Sequence, residues 1–291
     1  MRGHPVSALV GAALVVVSLP IVLGALLIGA ALLAGCASAD VPVAAEPEVA
    51  TSLNDVRRVL APAGDLRIAV YPGSPTSLVR RGGYEVRGVS VEIGRELASR
   101  LGVAARLVEF ERIEQVVEAV HSGQADMTIT NPTPARAALV DFTEPLIALE
   151  LGFLAMSGSP VDVIADVDRA GARVGVSEGS SSQAALGALL QSATLVPAAS
   201  LKAAADLLKE RRIDVFAANK AMLYQLADGL PGARVLDGRW GTESLAIAVP
   251  KGRDSGRPWL AQFAFEVRAD GLVRRAAERA GLRGLADPEG R

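Results

Sequence analysis

A strand–helix alternation that occurs twice, in the same order, constrains this chain more than any other feature. Leu66-Arg67-Ile68-Ala69-Val70 is a short β-prone run followed by the turn residues Pro72-Gly73-Ser74-Pro75. Val89, Ile93, Leu97 and Leu101 then recur at helical spacing, and Gly102 stands at the capping position. A strand over 105–110, a helix over 113–122 closed by Gly123, and a strand over 127–130 follow. Such alternation predicts βαβ units, hence a parallel sheet with helices on its faces and an α/β fold class.

The second occurrence is weak but ordered. Arg67 to Ser74 lines up with Arg173-Val174-Gly175-Val176-Ser177-Glu178-Gly179-Ser180, and Asp126 to Asn131 with Asp214-Val215-Phe216-Ala217-Ala218-Asn219. Each Asp opens a strand after an amphipathic helix, and each Asn closes that strand before another helix. Chance similarity between two βαβ units remains an alternative to two lobes built on one plan. Two such lobes would place their strand C-termini at one crevice, where open parallel sheets bind ligands near helix N-termini. The site is therefore expected at four turns: 72–77, 130–136, 178–183 and 218–220.

The N-terminus carries a different signal. Val6 to Ala34 is almost entirely apolar, longer than the roughly 7–15 residues of a usual signal-peptide core. Leu33-Ala34-Gly35-Cys36 resembles a bacterial lipobox, and Cys36 is the only cysteine, so no intramolecular disulfide can form. We expect a signal peptide over 1–35, lipidation (palmitate) at Cys36 and a flexible tether through 36–63, rich in Ala, Pro and Glu at its start. A retained transmembrane helix or an unmodified cysteine is the other reading. Either leaves the rest of the chain outside the cytoplasmic membrane, in the periplasm or at the cell surface.

Charge narrows the partners. Thirty Lys and Arg against 32 Asp and Glu leave no basic excess, and no basic–aromatic interleaving points to nucleic acid. His4 lies in the leader, leaving His121 as the lone histidine of the folded part; no metal site, cofactor or Ser-His-Asp system is expected. A monomer is expected.

The binding constellation centres on Thr130-Asn131-Pro132-Thr133-Pro134-Ala135-Arg136. Thr133 suits an N-cap and Pro134 the first helical position. Arg136 then falls in a first helical turn, where the helix dipole disfavours a cation unless an anion is bound there. An exposed Arg136 paired with Asp141 or Glu144 is the alternative. Ser180 and Ser181 offer caps and neutral donors after Gly179. Tyr71, Ser74 and Thr76 occupy the matching turn of the first lobe. Asn219 is either a plain N-cap or a cleft amide, and Glu178 is the one acid placed in the cleft.

The leader, lipobox and two-lobe order resemble the extracellular solute-binding proteins of family 3, which feed ABC importers with amino acids and related polar solutes. The resemblance is carried by Gly88-Val89-Ser90-Val91-Glu92-Ile93, Ser122-Gly123-Gln124-Ala125-Asp126, Thr133-Pro134-Ala135-Arg136-Ala137, Val140 to Leu146, Val174 to Ser180, and Ala246-Ile247-Ala248-Val249-Pro250-Lys251-Gly252. It implies a type 2 periplasmic-binding-protein fold: two Rossmann-like lobes joined by a two-segment hinge, lobe 1 over 64–152 plus 246–291 and lobe 2 over 156–242. It also implies that Arg136 clamps a ligand carboxylate and that the Ser180-Ser181 turn donates to it from the other lobe. The permease partner is likewise implied by the resemblance.

The chain departs from that family in three places. Asn219 stands where amino-acid binders carry an Asp that neutralises the ligand ammonium, and an unpaired buried ammonium is costly. Tyr71 is the only aromatic residue of the turn that often sandwiches the ligand. The stretch from Asp126 to Arg136 is shorter than the common pattern. These departures favour a small anionic solute, an organic acid or an amino-acid-like compound, although Glu178 could still pair with a cation. A sensory or accessory binding subunit of another membrane system is the alternative function. A cyclohexadienyl-dehydratase-like enzyme is a third, requiring a cleft carboxyl with a raised pKa; the expectation is that the chain is not an enzyme.

Overall fold

The computed structural model describes residues 52–82 and 85–286. The expected signal peptide, Cys36 and the tether as far as residue 51 lie outside these described residues, among which no helix is long and apolar enough to cross a membrane. Residues 53–60, expected as part of the tether, instead form helix α1 (Leu53–Leu60). Ser52 caps it by accepting from the Asp55 N–H, and Val56 and Leu60, one helical turn apart, are fully buried. Burial of each contributes about 1.5–3 kcal/mol, which a stretch with four charged or amide residues did not advertise.

The first lobe is built on β1 (Asp65–Val70), which leads through a tight turn into the small hairpin β2 (Val79–Arg81) and β3 (Glu85–Arg87). The sequence pattern did not foretell that hairpin. Then come α2 (Val89–Leu101), β4 (Ala104–Glu109), α3 (Ile113–His121) and β5 (Thr128–Thr130). α2 has the expected limits, and Gly102 caps it in the left-handed region at φ +67°. β1 runs parallel to β4, pairing Ile68 with Leu107, and bridges to Met127 beside β5. Val89, Ile93, Leu97 and Leu101 of α2 are buried against Leu66 and Ile68, as the helical spacing required.

α4 (Pro134–Leu139) and β6 (Val140–Phe142) lead to β7 (Ile147–Met156), the first long hinge strand. The second lobe follows as β8 (Arg173–Ser177), α5 (Ser181–Leu189), β9 (Thr194–Ala198), α6 (Leu201–Lys209), β10 (Val215–Asn219), α7 (Lys220–Asp228) and β11 (Ala233–Val235). Its strands lie in the order β9-β8-β10-β7, with β8 parallel to both β9 and β10.

β12 (Gly241–Pro250) returns as the second hinge strand. Residues 241–245 pair antiparallel with 147–151 of β7, and 246–250 pair with β5 and β6 of the first lobe. Two antiparallel strands thus cross between the lobes. α8 (Arg257–Ala269) and α9 (Leu272–Ala280) complete the first lobe, burying Phe263, Val267 and Val273 in its core. The last described residues double back along the hinge: Gly284 O accepts from Glu150 N–H and Ala286 N–H donates to Ala148 O, both at 2.9 Å. Arg283 reaches the second lobe there, pairing with Asp228 at 2.5 Å over the Tyr224 ring.

Candidate functional site

The strand C-termini of both lobes converge on one partly open chamber of about 50 Å³. Tyr71, Thr76, Thr130, Asn131, Arg136, Ser180, Ser181 and Asn219 all line it, and all but Tyr71 fall within the four predicted turns. Ser74 and Glu178 do not line it. Ser74 is buried behind the wall, its Oγ 2.8 Å from Thr76 Oγ1, where it orients Thr76. Glu178 points out of the chamber to Arg112, with Oε2 3.6 Å from Nη1.

Arg136 is positioned by local sequence chemistry. Thr133 accepts from the Arg136 N–H at 3.3 Å, with Pro134 at the start of α4, and this brings the Arg136 side chain back over the end of β5. Arg136 is 8% exposed, and its guanidinium donates to Thr130 Oγ1 at 2.7 Å and also to Asn131 Oδ1. The exposed-surface alternative does not apply: Asp141 is taken by Lys251 at 3.2 Å. Burial pulls the guanidinium below its usual pKa and the field of Glu243 opposes that pull; an arginine stays charged throughout.

Asn219 does both things left open for it. Its Oδ1 caps α7 by accepting from Met222 N–H at 3.0 Å, and its Nδ2 donates across the chamber to Glu243 Oε1 at 2.9 Å. Ser180 caps α5 by accepting from Gln183 N–H at 3.1 Å, which leaves the next hydroxyl, Ser181, to donate to Glu243 Oε2 at 3.4 Å.

Glu243 is the residue that sequence reasoning missed. It sits on hinge strand β12, two and four positions before the buried Leu245 and Ile247, so all three share one strand face. An acid extending a row of buried apolar residues was the available signal. Burial pushes the Glu243 carboxyl above the usual carboxylate range, and the hydrogen bond from Asn219, the charge of Arg136 and the hydrogen bond from Ser181 offset only part of that rise. Among the described residues, no cationic nitrogen lies within 4 Å of the Glu243 carboxylate and no carboxylate lies within 4 Å of the Arg136 guanidinium. Arg136 and Glu243 thus face the chamber satisfied by neutral partners and unpaired with each other, while Glu111 and Arg112 also line it.

A wider groove of about 1270 Å³ opens beside the chamber between α3, α4 and α5, with Glu109, Glu114 and Glu118 on one wall and Ala184 and Ala185 on the other. Arg112 and Arg136 line both spaces. Among the described residues no three His, Cys, Asp or Glu side chains converge as metal ligands would.

The model of the bacterial extracellular solute-binding proteins, family 3, matches residues 66–281. Solved structures share the fold. The solute receptor for L-cysteine of Neisseria gonorrhoeae is 25% identical with a TM-score of 0.70, covering 80% of this chain and 99% of that one. An amino acid ABC transporter substrate-binding protein from Streptococcus pneumoniae Canada MDR_19A, bound to L-arginine, is 18% identical with a TM-score of 0.69, covering 79% and 99%. A putative ABC-transporter binding component from Wolinella succinogenes DSM 1740, complexed with lysine, is 23% identical with a TM-score of 0.65, covering 78% and 97%. No curated protein sequence matches the chain significantly.

Proposed function

Because the chain belongs to the bacterial extracellular solute-binding proteins of family 3, we propose that it captures a small amino-acid-like zwitterion in the interlobe chamber and presents it to an ABC importer. The observation that carries this reading is the separated charge pair. Arg136 offers a guanidinium fork to a carboxylate. Glu243, held by Asn219 and Ser181, offers a carboxylate to an ammonium. A solute bearing both groups would pair both charges at once, and a desolvated chamber makes each pairing stronger than in water.

This refines the anionic solute expected from the sequence. That expectation rested on Asn219 replacing an acid, which would leave a ligand ammonium uncompensated. Glu243 restores the missing charge from the hinge strand, 2.9 Å from the amide. The arginine, cysteine and lysine ligands of the similar structures support the amino-acid class.

Capture proceeds by hinge closure. β7 and β12 carry both crossings, Arg136 and Thr130 belong to one lobe, and Ser181 and Asn219 belong to the other. A ligand docked on Arg136 completes its contacts only when the second lobe swings in. The closed form is the one that a permease would recognise. Family membership implies a place in the periplasm or at the surface, with a diacylglyceryl-type anchor on Cys36 and a monomeric state as the further proposals.

A thermal-shift panel of the twenty amino acids and of simple organic acids tests the reading. An authentic ligand at a hundredfold excess over Kd adds about 2.7 kcal/mol, and Arg136→Ala should remove that gain. If only organic acids lacking an amine stabilise the protein at neutral pH, the zwitterion assignment is wrong.

One observation favours a second reading. The Glu243 carboxyl lines the chamber and its pKa is raised by burial, as a general acid requires. One similar structure is an ancestral amino acid-binding protein described as a precursor of cyclohexadienyl dehydratase, 20% identical with a TM-score of 0.66. Turnover of prephenate or arogenate by the purified protein would replace binding with catalysis; no turnover leaves the binding reading in place.

A further inference from the structure

Resting on the zwitterion reading above, we propose that Glu243 makes solute selection proton-linked: ionised, it admits a zwitterion whose ammonium pairs with it, and protonated, it turns the same chamber toward the matching carboxylate that lacks the amine. The geometry comes first. The two carboxylate oxygens are spent on neutral donors, Asn219 Nδ2 at 2.9 Å and Ser181 Oγ at 3.4 Å. Arg136, which could neutralise the carboxylate, is turned to Thr130 and Asn131 instead. Ionised Glu243 thus waits for a cation, and only a ligand in the chamber can bring one.

The other charged and titratable groups around Glu243 do not supply that cation. On β7 the residue paired with Glu243 is Leu149; Glu150 lies opposite Thr242, hence on the other face of the strand pair. There Glu150 is itself paired with Lys220 at 2.6 Å and Arg239 at 3.0 Å. From the end of β1 comes Tyr71, whose buried phenol is pushed further up by burial and stays neutral. At the outer end of the chamber stand Glu111 and Arg112, and Arg112 is engaged by Glu114 at 3.0 Å and Glu178 at 3.6 Å. α4 contributes only Arg136, and α5 and α7 contribute the two neutral donors.

The linkage follows from charge counting. With Glu243 ionised, Arg136 and Glu243 sum to zero, and a neutral zwitterion leaves the closed chamber neutral with both charges paired. A ligand bearing only a carboxylate would then leave Glu243 ionised, desolvated and unpaired beside a second anion, which is costly. If Glu243 takes a proton from solvent, the chamber is left with Arg136 alone, and a simple carboxylate neutralises it. Burial already favours the protonated form in the empty chamber, so the zwitterion must expel a proton over the range where that form is populated.

Isothermal titration calorimetry between pH 5 and 8, in two buffers of different ionisation enthalpy, tests this with the twenty amino acids and their deaminated counterparts (propanoate for L-alanine, 3-hydroxypropanoate for L-serine). Below the Glu243 ionisation, the bound amino acid should weaken by up to tenfold per pH unit while releasing a proton; above it, the deaminated counterpart should weaken by up to tenfold per pH unit while taking one up. Glu243→Gln should flatten both profiles, and a thermal melt of that variant confirms that it folds. An amino acid that binds with a flat profile and no proton exchange overturns the proton linkage and leaves the zwitterion reading standing. So does a Glu243→Gln variant that keeps the wild-type profile. Failure of every amino acid to bind at any pH overturns the zwitterion reading and this inference together.

Discussion

Asp214 grips Arg173 at three points: Oδ2 accepts from the Arg173 backbone N–H at 2.8 Å and from Nε at 3.2 Å, and Oδ1 accepts from Nη2 at 2.7 Å. Asp126 grips Arg67 through the same atoms at 2.9, 2.9 and 2.8 Å. Each pair ties the start of the first strand of its lobe to the start of the strand that ends at the chamber. These are the residues that aligned between the two halves of the sequence, so the weak repeat has a physical basis. One clamp, used twice, sets the height at which Asn131 and Asn219 meet the chamber.

The first-lobe clamp carries more energy. Asp126 is fully buried and also accepts from Arg253 at 2.7 Å, whereas Arg173 is 41% exposed at its side chain. Burial pushes the Asp126 carboxyl up, but the bonds from Arg67, Arg253 and the backbone outweigh it and hold the carboxyl below its usual range. Asp126→Ala should cost about 3–5 kcal/mol because two guanidinium groups lose their buried partner, and Asp214→Ala should cost clearly less. A carboxyl lowered in the folded state stabilises fully above its unfolded pKa, near 4, and loses that contribution as pH falls through the folded value. Urea unfolding at pH 7 and pH 3 should therefore show a wild-type loss on acidification that is smaller in Asp126→Ala.

These comparisons mark what a sequence can disclose. α2 and the Thr133–Pro134–Arg136 helix start were legible because caps and helical spacing are local signals. Eight of the ten expected site residues line the chamber because strand ends and helix starts were placed correctly. α1 was missed because its helical character comes from docking Val56 and Leu60 on a distant core. Glu178 lies outside the lining because its side chain turns to Arg112, and Glu243 was overlooked for a different reason. Which face of β12 turns to the chamber depends on its register against β7, and register is a tertiary property.

The cost of holding Glu243 ready gives a stability prediction. A carboxyl whose folded pKa is raised binds its proton more tightly folded than unfolded, so its contribution is present at low pH and is lost as pH rises through the folded value. Glu243→Gln removes that loss. The unliganded variant should melt higher than wild type at pH 8 and level with it at pH 4, while binding amino acids more weakly at pH 8. Equal melting at both pH values would mean that the carboxylate is not under strain in the empty chamber.

Gly88 bears on the wall of the site. It precedes α2 at φ +153°, and a Cβ there would lie 1.9 Å from Ser77 O. That contact lets Val89 and Ser90 donate to Pro75 O at 3.1 Å and Thr76 O at 2.9 Å, fixing the turn that carries Thr76 into the chamber. Gly88→Ala should cost at least about 1–3 kcal/mol through backbone strain and displacement of the Ser77 carbonyl, or roughly 2–12 °C in melting temperature. Ligand affinity should drop as well, which a calorimetric titration would separate from the loss of stability.

The anchor is testable without reference to the ligand. Cys36→Ser in the full-length chain should abolish incorporation of a labelled fatty acid and move the protein from the membrane fraction to the soluble extracytoplasmic fraction, provided the leader is cleaved. Retention of Cys36→Ser in the membrane, with an unprocessed N-terminus, would favour the apolar leader as the anchor instead.

Arg112 and Glu178 join opposite lobes at the boundary between the chamber and the outer groove. Arg112 also holds Glu114 at 3.0 Å, and the Gly179 backbone stands against the Glu114 side chain. The contact spans the two lobes, so swinging them apart would break it, and it should slow ligand release. Both side chains are partly exposed, and such pairs contribute about 0–1 kcal/mol, enough for a change of up to about fivefold in a rate. Glu178→Gln should speed dissociation by that order at low ionic strength and should match wild type near 1 M salt, where screening acts within about 3 Å. Arg112→Ala combined with Glu178→Gln should add nothing beyond either change alone if the two residues act only through each other. Stopped-flow release measured across the four proteins reads this directly, and a salt-independent difference would mean that Glu178 works through the ligand after all.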